Sequence, residues 1–193
     1  MLLSLEITKE IPMELIEAIL QMDHDAYPPE DQMTRDRAYM IYTLIADSLI
    51  LLKEDGRLIG HFSVYAVRPE LIELAIRRQK HIFLVEEAHH LLPRVEGAAH
   101  GYIHNIILRP EYRGLGYRRY LFLGLSRWLE RHPGITDFWG DAVSGPGQRA
   151  LAALGLAPRP ELSGLWGGDI QSVQEALHRQ LAGFLEKDVF FLE

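Results

Sequence analysis

Residues 103–125 read IHNIILRPEYRGLGYRRYLFLGL, and the pattern changes twice within that stretch. Tyr102–Leu108 is apolar and rich in β-branched residues, a strand that Pro110 stops. Arg113-Gly114-Leu115-Gly116 is a glycine-bearing turn. Leu121, Leu125, Trp128 and Leu129 then recur at helical spacing until His132-Pro133-Gly134 ends the run. A strand that passes through such a turn straight into a helix leaves several backbone N–H groups unpaired around one point. The positive end of the helix dipole lies beside them. Glycine lets the chain approach an anion with no Cβ in the way, and Arg113, Arg118 and Arg119 add cationic charge. Pyrophosphate suits such a cradle. On these features alone, a strand-to-helix turn without ligand is an equal reading. Neither the dinucleotide-binding glycine spacing nor a Lys-Ser/Thr phosphate-loop ending is present, so nucleotide hydrolysis falls behind.

Outward from this turn, residues 2–9 read as a strand. Pro12 opens a helix carrying Leu15, Ile16, Ile19 and Leu20, which Asp23–Thr34 breaks with Pro28 and Pro29. A second helix runs from Arg35 to about Ala46. Ser48–Leu52 and Leu58–Val67 flank Asp55-Gly56, a strong hairpin signal. Residues 69–92 read as helix, Ile135–Val143 as strand, and Gln148–Leu154 as a short helix stopped by Gly155. Asp169 caps a last helix bearing Ile170, Val173, Leu177, Leu181 and Phe184, with room for a strand before it, and DVFFL (188–192) closes the chain as a strand. Strands and helices in this order imply one mixed α/β sheet with helices packed on it, in a single domain spanning 1–193.

Composition narrows the function. The chain has 193 residues, 48% hydrophobic and 24% charged, with a net charge of −7, which is ordinary globular composition. It has no cysteine, which excludes a disulfide scaffold, a thiolate zinc site and a cysteine nucleophile. Acidic balance argues against a general nucleic-acid binder. Ile41–Leu52, the best apolar stretch, is too short for a membrane span and is interrupted by Asp47. The first residues lack a basic leader region. The expectation is a cytoplasmic protein with no membrane and no nucleic-acid partner.

The segment 103–125 resembles the acyl-CoA-binding segment of the GNAT superfamily of N-acetyltransferases. The order of elements over about residues 2–157 is similar to that fold. The resemblance implies a GNAT-like α/β fold: a central mixed, mostly antiparallel sheet flanked by helices. Residues 68–99 would then be a helical insertion and 158–193 a C-terminal helix-strand extension. Acetyl-CoA or another acyl-CoA would be the co-substrate, with no metal, and the acceptor a small-molecule or peptide amine attacking directly in a ternary complex. In the family an Arg/Gln-x-x-Gly-x-Gly/Ala turn binds the CoA pyrophosphate. Here Arg113 and Gly116 occupy the first two defining places, Gly114, Leu115 and Tyr117 fill the turn between and after them as further cofactor-binding positions, and Arg118, also counted with them, stands where Gly or Ala is usual. The resemblance also implies that Ile106, Ile107 and Leu108 offer amides to pantetheine. Ser144 lies at the place of a cofactor-side Asn, and Leu151 where the family commonly has a Tyr that protonates the leaving thiolate. A degenerate module that binds CoA or a protein partner without efficient transfer is the alternative function.

Other residues carry weaker readings. His104 shares a strand face with His100 and Tyr102, and its ordinary pKa near 6.5 suits a base; Tyr102 then serves as an acid. The competing reading is a histidine bonded between sheet and helix. Asp23, Asp25 and Tyr27 lie in an acidic segment that, by the resemblance, borders the acceptor pocket and would attract a cationic amine. A polar segment that solvates itself is the competing reading. Glu86, Glu87, His89 and His90 read as a solvated helix face, and metal binding is not expected. The insertion fits a lid, a homodimer contact or a cover over the sheet. The closing strand either completes the sheet or exchanges with a partner.

Overall fold

The computed structural model describes residues 2–45, 47–95, 97–184 and 190–192. In chain order the elements are β1 (Leu3–Ile7), α1 (Met13–Ala26), α2 (Arg35–Leu44), β2 (Leu49–Glu54), β3 (Arg57–Val67), α3 (Pro69–Arg78), α4 (Ile82–Val85) and β4 (Ala99–Leu108). They continue with α5 (Arg118–Arg131), β5 (Ile135–Asp141), α6 (Gly145–Ala153), β6 (Ala157–Pro158), β7 (Leu165–Asp169), α7 (Ile170–Leu181) and β8 (Phe190–Leu192). Asp55 and Gly56 form the β2–β3 hairpin with φ of 47° and 81°. Two successive left-handed residues match the twist of the flanking strands.

The strands form one sheet in the order β6-β7-β5-β4-β3-β2-β1-β8. Pairing is parallel at β4/β5 and β1/β8 and antiparallel elsewhere, the mixed, mostly antiparallel sheet expected. Helices cover both faces, and β2 shows why its run Leu49-Ile50-Leu51-Leu52 is apolar throughout. Ile50 and Leu52 enter the core with Phe62, Phe122 and Trp128. Leu49 and Leu51 enter the other core with Ile41, Tyr65 and Tyr102. A strand buried on both faces needs apolar residues at every position. Helix α5 lies so close to β2 that a Cβ at Gly124 would stand 2.2 Å from an Ile50 methyl. No helix among the described residues is long and apolar enough to cross a membrane.

Two segments depart from expectation. Residues 69–92 do not form one helix: Gln79 takes a left-handed conformation (φ 52°) and closes α3 by donating to the Ala75 and Ile76 carbonyls. A new turn then starts at Ile82, whose N–H is received by Asp141 Oδ2 at 2.8 Å. That cap comes from β5, far along the chain, so the helical period alone could not show it. Helix α1 runs on to Ala26, which puts Asp23 in its last turn rather than in a loop. Strand β8 lies parallel to β1 in its own chain's sheet, Leu5 opposite Phe191; Asp188 and Val189 of the expected strand, and Ala46 at the expected end of the second helix, lie outside the described residues.

Candidate functional site

Strands β4 and β5 are paired only from Ala99↔Ile135 to Ile103↔Gly140, with a register shift between Ala99 and His100, while β4 continues to Leu108. Gly140 marks the divergence. A Cβ there would lie 3.2 Å from a Leu151 methyl and 3.3 Å from the Ile103 carbonyl oxygen. Against β3 the register shifts between Ser63 and Val64, so His104 is an extra, bulged residue in β4. Bulges bend a strand and increase its twist, which turns the end of β4 away from β5. The Arg109 N–H donates to Ile59 on β3 at 2.9 Å. Antiparallel alternation therefore aims the backbone groups of Ile106 and Leu108 into the gap, and those of Ile107 toward its partner His61 on β3. Of the three expected amide positions, two face the gap and Ile107 does not.

The chain then makes a 3-10 turn, Pro110–Tyr112, and passes through Arg113–Tyr117 into α5. Gly114 and Gly116 have φ of 77° and 87°, a region only glycine enters freely. A Cβ at either would meet nothing within 4 Å, so the space beside both glycines is open. Among the described residues none accepts a bond from the N–H groups of Gly114, Leu115 or Gly116. Arg113 folds back, its Nε donating to the Leu108 carbonyl at 2.9 Å. The Tyr117 hydroxyl turns away to Glu54 (3.4 Å). Arg118 lies over the Phe122 ring at 5.3 Å. Burial lowers its pKa, and so do Arg119 and Arg149: three guanidinium groups share one region. Among the described residues no carboxylate pairs with any of them. Ser144 caps α6, its Oγ accepting the Gly147 N–H at 3.1 Å. Leu151 is buried in the core beside Gly140.

The other side of β4 carries a buried polar cluster. His104 packs against Tyr65 and Tyr102, ring centres 6.2 and 5.8 Å apart, and its Nε2 has no hydrogen-bond partner. Burial pushes its pKa down to about 3, with Arg37 and His61 acting in the same direction. The expected base near 6.5 is thus a neutral imidazole of very low proton affinity, because an imidazolium there would lose its hydration. The Tyr102 hydroxyl donates to Asp141 Oδ2 at 3.0 Å, and burial raises its pKa well above the ordinary value. Asp23 is buried and engaged internally, accepting the Met33 N–H at 2.6 Å and Asn105 Nδ2 at 3.1 Å. Asp25 sits exposed on α1, bonded to Gln21. Burial and Asp23 push Tyr27 up to about 12, and Arg113 opposes them. The fold therefore groups His104, Tyr102, Asp23 and Tyr27 around the divergence of β4 and leaves Asp25 on the outer surface.

Sequence reading missed the residue that completes this cluster. Glu86 is buried rather than solvated, with Oε2 accepting the Tyr65 hydroxyl at 2.7 Å. Oε1 stands 3.8 Å from Arg37 Nη2. Burial raises its pKa to about 7, more than Arg37 and the Tyr65 bond lower it. His90 is buried too, accepting the Glu87 N–H at 3.0 Å. Asp141 was also missed; it bonds Tyr102, the Ile82 N–H and, at 3.2 Å, His81 Nδ1. No spacing in the sequence relates positions 37, 65, 86 and 141.

The acetyltransferase (GNAT) family model matches residues 16–155. Among solved structures, a polyamine N-acetyltransferase of Drosophila melanogaster that catalyses the formation of N-acetylagmatine superposes with a TM-score of 0.58 at 12% identity, covering 87% of this chain and 100% of that one. Naa50 of Arabidopsis thaliana, bound to a CoA-Ac-MVNAL bisubstrate analogue, gives 0.58 at 8% identity, covering 87% and 99%. The loading GNATL domain of CurA from Lyngbya majuscula gives 0.54 at 12%, covering 72% of this chain and 64% of that one. These likenesses show the fold. No curated protein sequence matches this chain.

Proposed function

The chain belongs to the acetyltransferase (GNAT) family, and from that premise we propose that it transfers an acyl group from acyl-CoA directly to a primary amine. The observation that carries the reading is the parting of β4 from β5 beyond Ile103↔Gly140, with the open turn 113–117 at its end. The residues present fit acyl-CoA. The N–H groups of Gly114, Leu115 and Gly116 would take the pyrophosphate, with Arg118, Arg119 and Arg149 supplying positive charge. Ile106 and Leu108 would hold pantetheine as an added strand is held.

The acceptor comes to the opposite side, at α1 and the segment after it. Asp31 acts electrostatically on both Tyr27 and His81, so that mouth is acidic and suits a cationic amine. Acetylation of agmatine by the Drosophila neighbour puts polyamines first among acceptors to try. Holding both substrates in reacting geometry supplies much of the rate. Backbone donors near the thioester carbonyl add to it. Leu151 offers no acid. Tyr102 carries the hydroxyl closest along β4 to the gap, and an alkyl thiolate with a pKa near 8.5 leaves readily even without one.

A buried leucine beside Gly140 also favours a second reading, a CoA-binding module without efficient transfer. Calorimetry with acetyl-CoA, followed by thiol release in the presence of an amine panel, separates the two. Binding with release on at least one amine is expected. Binding without release selects the second reading, and absence of binding refutes both.

A further inference from the structure

The turn before α5 has little of its own to hold its shape. The N–H groups of Gly114, Leu115 and Gly116 find no acceptor among the described residues. Both glycines take left-handed conformations, and glycine has the most backbone freedom to lose on ordering. Beyond the return of Arg113 to Leu108, what fixes the turn comes from the tip of the β2–β3 hairpin. Glu54, the last residue of β2, accepts one hydrogen bond at each carboxylate oxygen. Tyr112, which ends the 3-10 turn, donates to Oε2 at 2.5 Å. Tyr117, which precedes α5, donates to Oε1 at 3.4 Å. The two rings stand edge to face with centres 5.1 Å apart, so one carboxylate holds both ends of the stretch 113–116. The hairpin reaches the same segment twice more. Arg109 Nε donates to the Leu58 carbonyl at 2.8 Å, and Arg57 pairs with Glu111 at 3.5 Å. That ion pair is exposed and contributes little; the bonds to the Glu54 carboxylate are charge-assisted and stronger.

We propose that Glu54 is a positioning residue for acyl-CoA, clamping both ends of the turn through the Tyr112 and Tyr117 hydroxyls so that its N–H groups are in place before the pyrophosphate arrives. This rests on the acyl-CoA-binding part of the reading above. An unclamped turn keeps its glycines, N–H groups and arginines, but must be ordered at the moment of binding, which costs affinity. By charge alone Glu54 is an unfavourable neighbour for a diphosphate. Its two effects therefore have opposite signs: repulsion weakens binding, and the clamp strengthens it.

The test is calorimetry of acetyl-CoA binding to the native protein, Glu54→Ala, the double variant Tyr112→Phe/Tyr117→Phe, and the triple variant that combines them, with a thermal melt to establish that each is folded. Glu54→Ala should bind acetyl-CoA about tenfold more weakly. The double variant should show a similar loss, and adding Glu54→Ala to it should weaken binding no further, because the carboxylate then has no hydroxyl to hold. With a probe amine that gives thiol release from the native protein, agmatine first, Glu54→Ala should raise KM for acetyl-CoA and leave kcat at saturation unchanged; a merely destabilised protein would not show that split. Unchanged or tighter binding in Glu54→Ala overturns the proposal, since charge would then outweigh the clamp. Further weakening in the triple variant also overturns it, as does a fall in kcat in place of the rise in KM. Should Glu54→Ala fail to fold, the double variant decides, because it lacks only two hydroxyl groups: native affinity there overturns the proposal. Native protein that does not bind acetyl-CoA overturns the acyl-CoA reading and this inference with it.

Discussion

Glu86→Gln should change how stability depends on pH, independently of any catalysis. In the unfolded chain the carboxyl has its ordinary value of 4.5, and in the folded protein burial raises it to about 7. Between those values the folded state holds a proton that the unfolded state releases, so stability falls as pH rises through this window. Above it the full cost of a buried anion remains, about 3 kcal/mol at roughly 1.4 kcal/mol per tenfold change in proton affinity. Glutamine keeps a carbonyl acceptor for the Tyr65 hydroxyl but has no such proton. The attraction of Arg37 acts only where Glu86 is ionised, and it is already contained in the folded value of about 7. Urea unfolding of both proteins from pH 4 to pH 8.5 isolates the effect, because groups common to both cancel in the difference. The stability of Glu86→Gln relative to the native protein should rise by about 3 kcal/mol between pH 4.5 and pH 8. A difference that stays flat across that range would refute the argument that burial governs this carboxylate.

Gly116→Ala forces an L-residue to φ 87° and should cost about 1–2 kcal/mol in urea unfolding. Its new Cβ meets nothing within 4 Å in the free protein but projects into the proposed pyrophosphate cradle, so calorimetry should show acetyl-CoA bound at least tenfold more weakly. Gly124→Ala places a methyl 2.2 Å from an Ile50 carbon. Overpacking of that kind costs about 1–3 kcal/mol and should lower Tm by several degrees in a thermal melt. Arg149→Gln relieves repulsion on Arg118. The free protein should melt no lower than native, while acetyl-CoA affinity falls and depends less on salt.

The phosphate turn was legible because strand, proline, glycines and helix follow one another within one continuous stretch, and the physics of a helix start is local. The hairpin at Asp55-Gly56 and the cap at Asp169 were legible for the same reason. The capping carboxylate of Asp169 accepts the Ser172 N–H at 2.7 Å, three residues on. What failed was set by distant partners. The helix expected over 69–92 breaks at Gln79 and restarts where Asp141 receives the Ile82 N–H, and once it breaks, helical periodicity no longer says which way Glu86 faces. His104 kept its expected strand face, yet its proton affinity depends on Tyr65, Tyr102 and Arg37 packing around it, none of them near it in sequence except Tyr102. The sequence places Asp23 in an acidic segment bordering the acceptor pocket or solvating itself, whereas Asn105 on β4 holds it inside.

The most direct test of the central claim is backbone amide NMR of the protein titrated with acetyl-CoA. The account predicts one bound molecule, with the largest amide shifts at Ile106, Leu108, Gly114, Leu115 and Gly116 and little change at Ile107, whose N–H is turned toward β3. Absence of binding, or shifts that avoid both the end of β4 and the 113–117 turn, would contradict it.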